Sequence, residues 1–257
     1  MMIFPGTDAV FFDLGNTLIP FTPKDSMEFV VKWYWSSGME GHGVPFNTFL
    51  ESYREVVREE HSRMLGERWE TSVAWRSGKL IDVLSKQGYE MDGSIDDLRS
   101  THSESFTTCL RSPRDSRYVL DMIRTARNEN GCNIKLGLIS NAGDPEAIRK
   151  FLDRDSLTSI FDEIVISGEV GYSKPWKEIF TVPMEKINVV PERSVYIGDR
   201  YRVDFVGSRD AGMRPVYIRQ YMTAGEPPTN IVISPTIDHI LDLLPLLERG
   251  IGPDNPG

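Results

Sequence analysis

The sequence predicts an α/β protein with a doubly wound, mostly parallel sheet and an inserted all-helical segment. Three observations predict it. Ala9-Val10-Phe11-Phe12 is an unbroken apolar run, which suits a strand buried on both faces in the middle of a parallel sheet. Later strand candidates, at Ile134 to Ile139, Ile164 to Ile166 and Ser194 to Ile197, alternate with helical patterns, as βα units do. Between the first strand and the second, from Lys24 to Leu110, the pattern is helical throughout, so an insertion interrupts the alternation.

The elements follow in order. The first strand stops at Asp13 and turns into Leu14-Gly15-Asn16-Thr17-Leu18. Helices are expected over Ser26 to Ser36, Pro45 to Leu65, Thr71 to Lys86 and Ser94 to Cys109. Pro45 suits a helix start, and Gly66, Gly88 and Gly93 punctuate the rest. Arg111-Ser112-Pro113 marks the return to the sheet, and a helix over Asp115 to Asn128 leads into the second strand, which ends in Ser140-Asn141. Asp144-Pro145-Glu146 reads as a helix start that aims backbone N–H groups at an anion. The third strand precedes Lys174-Pro175, and the fourth ends in Gly198-Asp199 with Asp204 following. Alternation continues to Arg219, and Pro235 to Leu247 reads as a last helix. The expected organisation is a core of residues 1–22 and 111–248, a helical insertion of 23–110 and a flexible tail of 249–257. The insertion carries Trp33, Tyr34, Trp35, Trp69 and Trp75; helical spacing accounts for most as bundle core, leaving one or two to face a pocket.

Composition narrows the function classes. The chain has 257 residues, 40% hydrophobic and 26% charged, as in an ordinary soluble globular protein with room for a core and an insertion. A net charge of −9 argues against nucleic-acid or anionic-membrane partners, which need dense Lys and Arg. No apolar stretch reaches membrane-spanning length and no secretory h-region is seen. The two cysteines, Cys109 and Cys132, read as reduced thiols of a cytoplasmic protein rather than a disulfide framework. His42, His61, His102 and His239 show no zinc-binding spacing; His42 and His61 lie in the insertion, as solvated side chains or as proton donors to a leaving group.

In a parallel sheet the strand ends share one edge. Asp13, Ser140, Lys174 and the pair Asp199 and Asp204 would then converge on one pocket, as a nucleophile, a hydroxyl, a cation and an acidic pair suited to moving a phosphoryl group. Taken singly each has a plainer explanation: a strand-end Asp capping a turn, a solvated loop lysine, a turn threonine at Thr17, an asparagine at Asn141 that either orients substrate or caps its own turn.

Together and in order, these motifs resemble the haloacid dehalogenase superfamily over nearly the whole chain. Asp13-Leu14-Gly15-Asn16-Thr17 is similar to its first motif, Ser140 to its second, Lys174 to its third, and Gly198-Asp199 through Asp204 to its acidic fourth. The resemblance implies a Rossmann-like core, a type C1 cap over 23–110, and a Mg²⁺-dependent phosphatase acting on a small phosphorylated metabolite. It implies Asp13 as the nucleophile that forms an aspartyl-phosphate, Thr17 hydrogen-bonding around it, Lys174 neutralising charge, and Ser140 and Asn141 at the phosphate. The implied metal ligands are Asp13, the Gly15 backbone carbonyl, Asp199 directly, and Asp204 directly or through water. Monomer and homodimer are both compatible with it. One departure matters: relatives that are phosphatases usually carry a second Asp, as general acid and base, where this chain has Gly15. The alternatives are a 2-haloacid dehalogenase, against which the metal-binding form of the fourth motif argues, and a weakly active or non-catalytic phospholigand-binding member.

Overall fold

Every residue of strand β1, Ala9–Phe12, is buried, and the two faces of that strand explain the molecule's layers. Val10 and Phe12 enter one apolar cluster, Ala9 and Phe11 another on the opposite face. The computed structural model describes residues 2–64, 71–91, 95–221 and 231–250, apart from the side chains of His61 and Met64. The strands are β1, β2 (Lys135–Ser140), β3 (Glu163–Ile166), β4 (Ser194–Gly198), β5 (Arg214–Ile218) and β6 (Thr236–Ile237). They form one sheet of order β3-β2-β1-β4-β5-β6, with every pair parallel. The order reverses at β1 and β4, the switch point at which a doubly wound sheet opens its crevice.

Helices α1 (Pro23–Ser36), α2 (Phe46–Met64), α3 (Val73–Lys86) and α4 (Ile95–Cys109) follow β1. They share a cluster of their own that includes Phe29, Trp33, Phe49, Leu80 and Leu98. The helix α1 starts earlier than the apolar pattern indicated because Thr22 and Asp25 form a reciprocal capping box. Trp33 and Tyr34 are bundle core, with Trp33 Nε1 donating to the Leu98 carbonyl at 3.1 Å and Tyr34 OH to that of Val44 at 2.9 Å. Trp35 is exposed, while Trp69, Gly66 and Gly93 lie outside the described residues.

Helix α5 (Arg114–Thr125) returns the chain to the sheet, followed by α6 (Pro145–Arg154), α7 (Ser167–Val170), α8 (Lys177–Lys186), α9 (Gly207–Asp210) and α10 (Leu243–Arg249). Apolar residues of α5, α6 and α10 cover one face of the sheet, and those of α8 the other. The helix α5 stops before Asn128 because Arg127 bridges to Ile3 and Asn133. The expected helix over Pro235 to Leu247 is a correction: Thr236 and Ile237 pair with Tyr217 and Ile218 as the edge strand, and only the segment from Leu243 is α-helical. Arg249 closes α10, and 251–257, most of the expected tail, lie outside the described residues.

Candidate active site

Two strand ends and the turn after the second supply the acids, and one loop the cation. Asp13 follows β1, its amide bonded to the Ile197 carbonyl of β4 at 2.9 Å. Asp199 follows β4, and Asp204 sits in the π-helical turn Tyr201–Val206. Their carboxylate oxygens lie within 4.8 Å of one another, and all three residues are buried. Asp204 reaches this place by crossing the end of β4, where Gly198 offers no Cβ; a built Cβ would come within 2.3 Å of the Asp204 Cβ.

Lys174 enters from the loop after β3 and donates from Nζ to Asp13 Oδ1 at 2.6 Å, Asp204 Oδ1 at 2.7 Å and Tyr196 OH at 2.8 Å. Burial works against its charge, but Asp13 and Asp204 outweigh it and raise the ammonium's pKa. Lys174 faces three carboxylates, with Arg200 adding only a smaller pull on Asp199, and the acids register the imbalance. Burial pushes Asp13 to about 6, Lys174 opposing and Asp204 adding to the rise. Burial, then Asp13 and Asp204, pushes Asp199 to about 8.

Tyr196 is a site residue that the sequence did not disclose. In β4 it reads as one more residue of a strand, its ring packed edge-on against Phe180 at 5.2 Å. Its hydroxyl nevertheless lies 3.1 Å from Asp204 Oδ1 as well as touching Lys174. Asn141, expected to orient substrate or to cap its own turn, makes its bonds to a different loop. Its Nδ2 donates to the Lys174 carbonyl at 3.0 Å and its Oδ1 accepts from the Lys174 amide at 2.8 Å, so it clamps the backbone that carries the lysine. The backbone partners fix which end of the amide is which.

Thr17 is also corrected. Its hydroxyl is buried with no hydrogen-bond partner, rather than bonded around Asp13. The turn is held without it, by the Leu18 and Ile19 amides on the Leu14 carbonyl and the Asn16 amide on that of Ile19. Ser140 is buried at the end of β2. At the start of α6 the Asp144 carboxylate takes the Ala147 amide at 3.0 Å, so that amide is not open to an anion. Around Gly15 a built Cβ meets nothing within 4 Å, so the missing side chain leaves open space. The side chain of His61 lies outside the described residues, and His239 caps the Leu241 amide.

The sequence model of the haloacid dehalogenase-like hydrolase family matches residues 46–218. A glyceraldehyde 3-phosphate phosphatase from Methanothermobacter thermautotrophicus is 35% identical over 237 residues, covering 85% of this chain and 88% of its own. The chain is a haloacid dehalogenase-like hydrolase. This hydrolase is also 28% identical over 215 residues to a phosphorylated carbohydrates phosphatase from Thermotoga maritima, covering 82% of this chain and 84% of that one. Its fold is similar to the putative HAD-hydrolase YfnB from Bacillus subtilis, solved bound to magnesium, with TM-score 0.69, 19% identity and coverage of 94% and 98%.

Proposed function

We propose that this hydrolase is a Mg²⁺-dependent phosphatase of a small phosphorylated metabolite, working through an aspartyl-phosphate on Asp13. The observation that carries the proposal is the charge arrangement: three buried carboxylates share one pocket with a single lysine bonded to two of them. Two raised carboxyls mark a surplus of negative charge, and an all-oxygen donor set suits a hard divalent cation. Asp13, Asp199 and the Gly15 carbonyl would hold it. Asp204 would orient it, because Lys174 and Tyr196 engage its Oδ1 and the Arg200 amide its Oδ2. When bound, the ion neutralises charge on the substrate phosphate.

The chain's own groups divide the remaining work. Asp13 carries one oxygen to phosphorus while the bond to the leaving oxygen breaks; water then cleaves the acyl phosphate, releasing phosphate and restoring the carboxylate. Lys174 offsets charge on the nucleophile and the transferring group. Asn141 holds Lys174 in place, and Ser140 offers a hydroxyl to the phosphate. Helices α1 to α4, residues 23–110, form the cap over a core of 1–22 and 111–248, excluding water from the pocket. The names of the relatives support a small phosphorylated carbohydrate as substrate. The acid cluster weighs against dehalogenation, which has no phosphate charge to neutralise.

Turnover of p-nitrophenyl phosphate with and without Mg²⁺ tests the proposal. Wild-type protein should be active, and EDTA and Asp13→Asn should each abolish the activity while leaving the circular dichroism unchanged. Full activity in EDTA would remove the metal from the proposal, and an active Asp13→Asn variant would remove the nucleophile.

A further inference from the structure

A second buried polar system crosses the molecule away from the acids, and the chemistry assigned so far makes no use of it. His102 of α4 is 2% exposed and sits edge-on to Phe29 and Trp33, both with ring centroids at 4.9 Å. Its Nε2 lies 3.1 Å from Nη1 of Arg76 in α3, and its Nδ1 3.1 Å from Oδ2 of Asp144. A guanidinium can only donate, so Nε2 accepts and Nδ1 carries the proton given to Asp144. Burial, the largest influence, lowers the imidazole pKa and keeps the ring neutral, as that tautomer requires. Arg76 in turn donates from Nη2 and Nε to both oxygens of Glu60 in α2, at 2.7 and 3.2 Å. At the other end Ser103 donates to Asp144 Oδ2 at 2.7 Å, and Ala147 to Oδ1 at 3.0 Å.

This chain of donors joins three helices of the insertion to the turn that follows Ser140 and Asn141. The Val73 amide adds a tie from α3 to the Gly143 carbonyl of the same turn, at 3.1 Å. Apolar side chains could fill the space at no desolvation cost, so a buried relay points to a demand for fixed geometry. Asn141, at the start of this turn, also grips the backbone of Lys174.

We propose that His102 is a positioning residue: the relay Glu60–Arg76–His102–Asp144 sets the turn 140–144, and through it Ser140, Asn141 and Lys174, against the helical insertion. Its activity arm rests on the phosphatase function proposed above; its exchange arm does not.

Asp144→Asn separates this role from simple helix capping. Asparagine is as good an N-cap as aspartate, so the Ala147 bond survives, but the new NH₂ confronts the His102 N–H, while the Ser103 hydroxyl must turn round to accept. His102 could answer only by moving its proton to Nε2, which then faces Arg76. In the full chain with Mg²⁺, Asp144→Asn and His102→Phe should lower kcat/KM for p-nitrophenyl phosphate by about tenfold or more. Both should weaken inhibition by inorganic phosphate and speed amide exchange over 140–144. His102→Gln, which keeps one donor and one acceptor, should recover most of the loss. If His102→Phe fails to fold, Asp144→Asn carries the same comparison. Unchanged phosphate inhibition and unchanged exchange in a folded variant would overturn the proposal, whatever happens to Tm. If the wild type turns over no aryl phosphate, the phosphatase function falls and exchange alone decides: an unaltered turn in Asp144→Asn overturns the relay, and faster exchange there supports it.

Discussion

Lys174 donates to two carboxylates and a phenol from inside the protein, so its removal strips charge that water cannot replace. Lys174→Ala should slow the chemical step by orders of magnitude. Ser140→Ala removes one hydrogen bond and should lose roughly 1–3 kcal/mol of transition-state stabilisation. Single-turnover rates of the two variants check the ranking, which a slower Ser140→Ala would reverse. Gly15 makes the sharper forecast. With no acid there, the position that would protonate the leaving oxygen is empty, and a general acid or base typically supplies about 10²–10⁴-fold. Rates should therefore fall steeply as leaving-group pKa rises. Because a Cβ at Gly15 meets nothing within 4 Å, Gly15→Asp should fit and flatten that dependence; a flat wild-type plot would mean another group already supplies the proton. Asp13 and Asp199 were legible because each sits next to a strand end, and Lys174 and Asp204 because each lies in a recognisable local context further along. Tyr196 was not, since a strand tyrosine facing the core looks the same whether or not its hydroxyl meets a charge. Asn141 was legible in place but not in partner, because its bonds go to a backbone 33 residues away.

Strands carried more of their placement in the sequence than helix ends did. The apolar runs located β1 to β4, and glycines inside or beside them have steric reasons. In β2, Gly137 lies beside Phe11, whose ring atom Cδ1 would be 2.2 Å from a built Cβ. At the end of β4, Gly198→Ala would drive its methyl into Asp204, so about 1–3 kcal/mol of stability and most of the Mg²⁺ response should go together. Urea unfolding and a Mg²⁺ titration followed by fluorescence would show it; an Ala variant with wild-type metal affinity would mean that Asp204 does not matter to the ion. Helix boundaries moved where other bonds intervened: the Thr22 side chain drew α1 earlier, and backbone bridges at Arg127 cut α5 short. The segment from Pro235 misled because Thr236 and Ile237 are drawn onto the edge of β5, a non-local pairing that local periodicity cannot report.

At the scale of the whole molecule the two central strands are stapled at their starts. Asp8, before β1, and Arg193, before β4, meet through two bonds at 2.6 and 2.8 Å. The Arg193 hydrogen bond does most to lower the Asp8 carboxyl; burial opposes it and Asn128 assists. A lowered folded pKa stabilises the fold above the unfolded carboxylate's value and loses that contribution as pH falls through the folded one. The advantage of wild type over Asp8→Asn should thus be full at pH 7 and fade below about pH 4, as urea midpoints at the two pH values would show; a constant gap would refute the linkage. The same staple spans 185 residues of chain, and it has a kinetic corollary. During synthesis β1 is made long before its neighbour β4, and the whole helical insertion is translated between β1 and β2. The apolar Ala9–Phe12 ribbon must wait with an open edge, which invites pairing with other chains. Folding of this sheet is therefore bound to a distant, late contact, and chaperone demand should peak in nascent chains that already hold the helices but not yet residues 194–198.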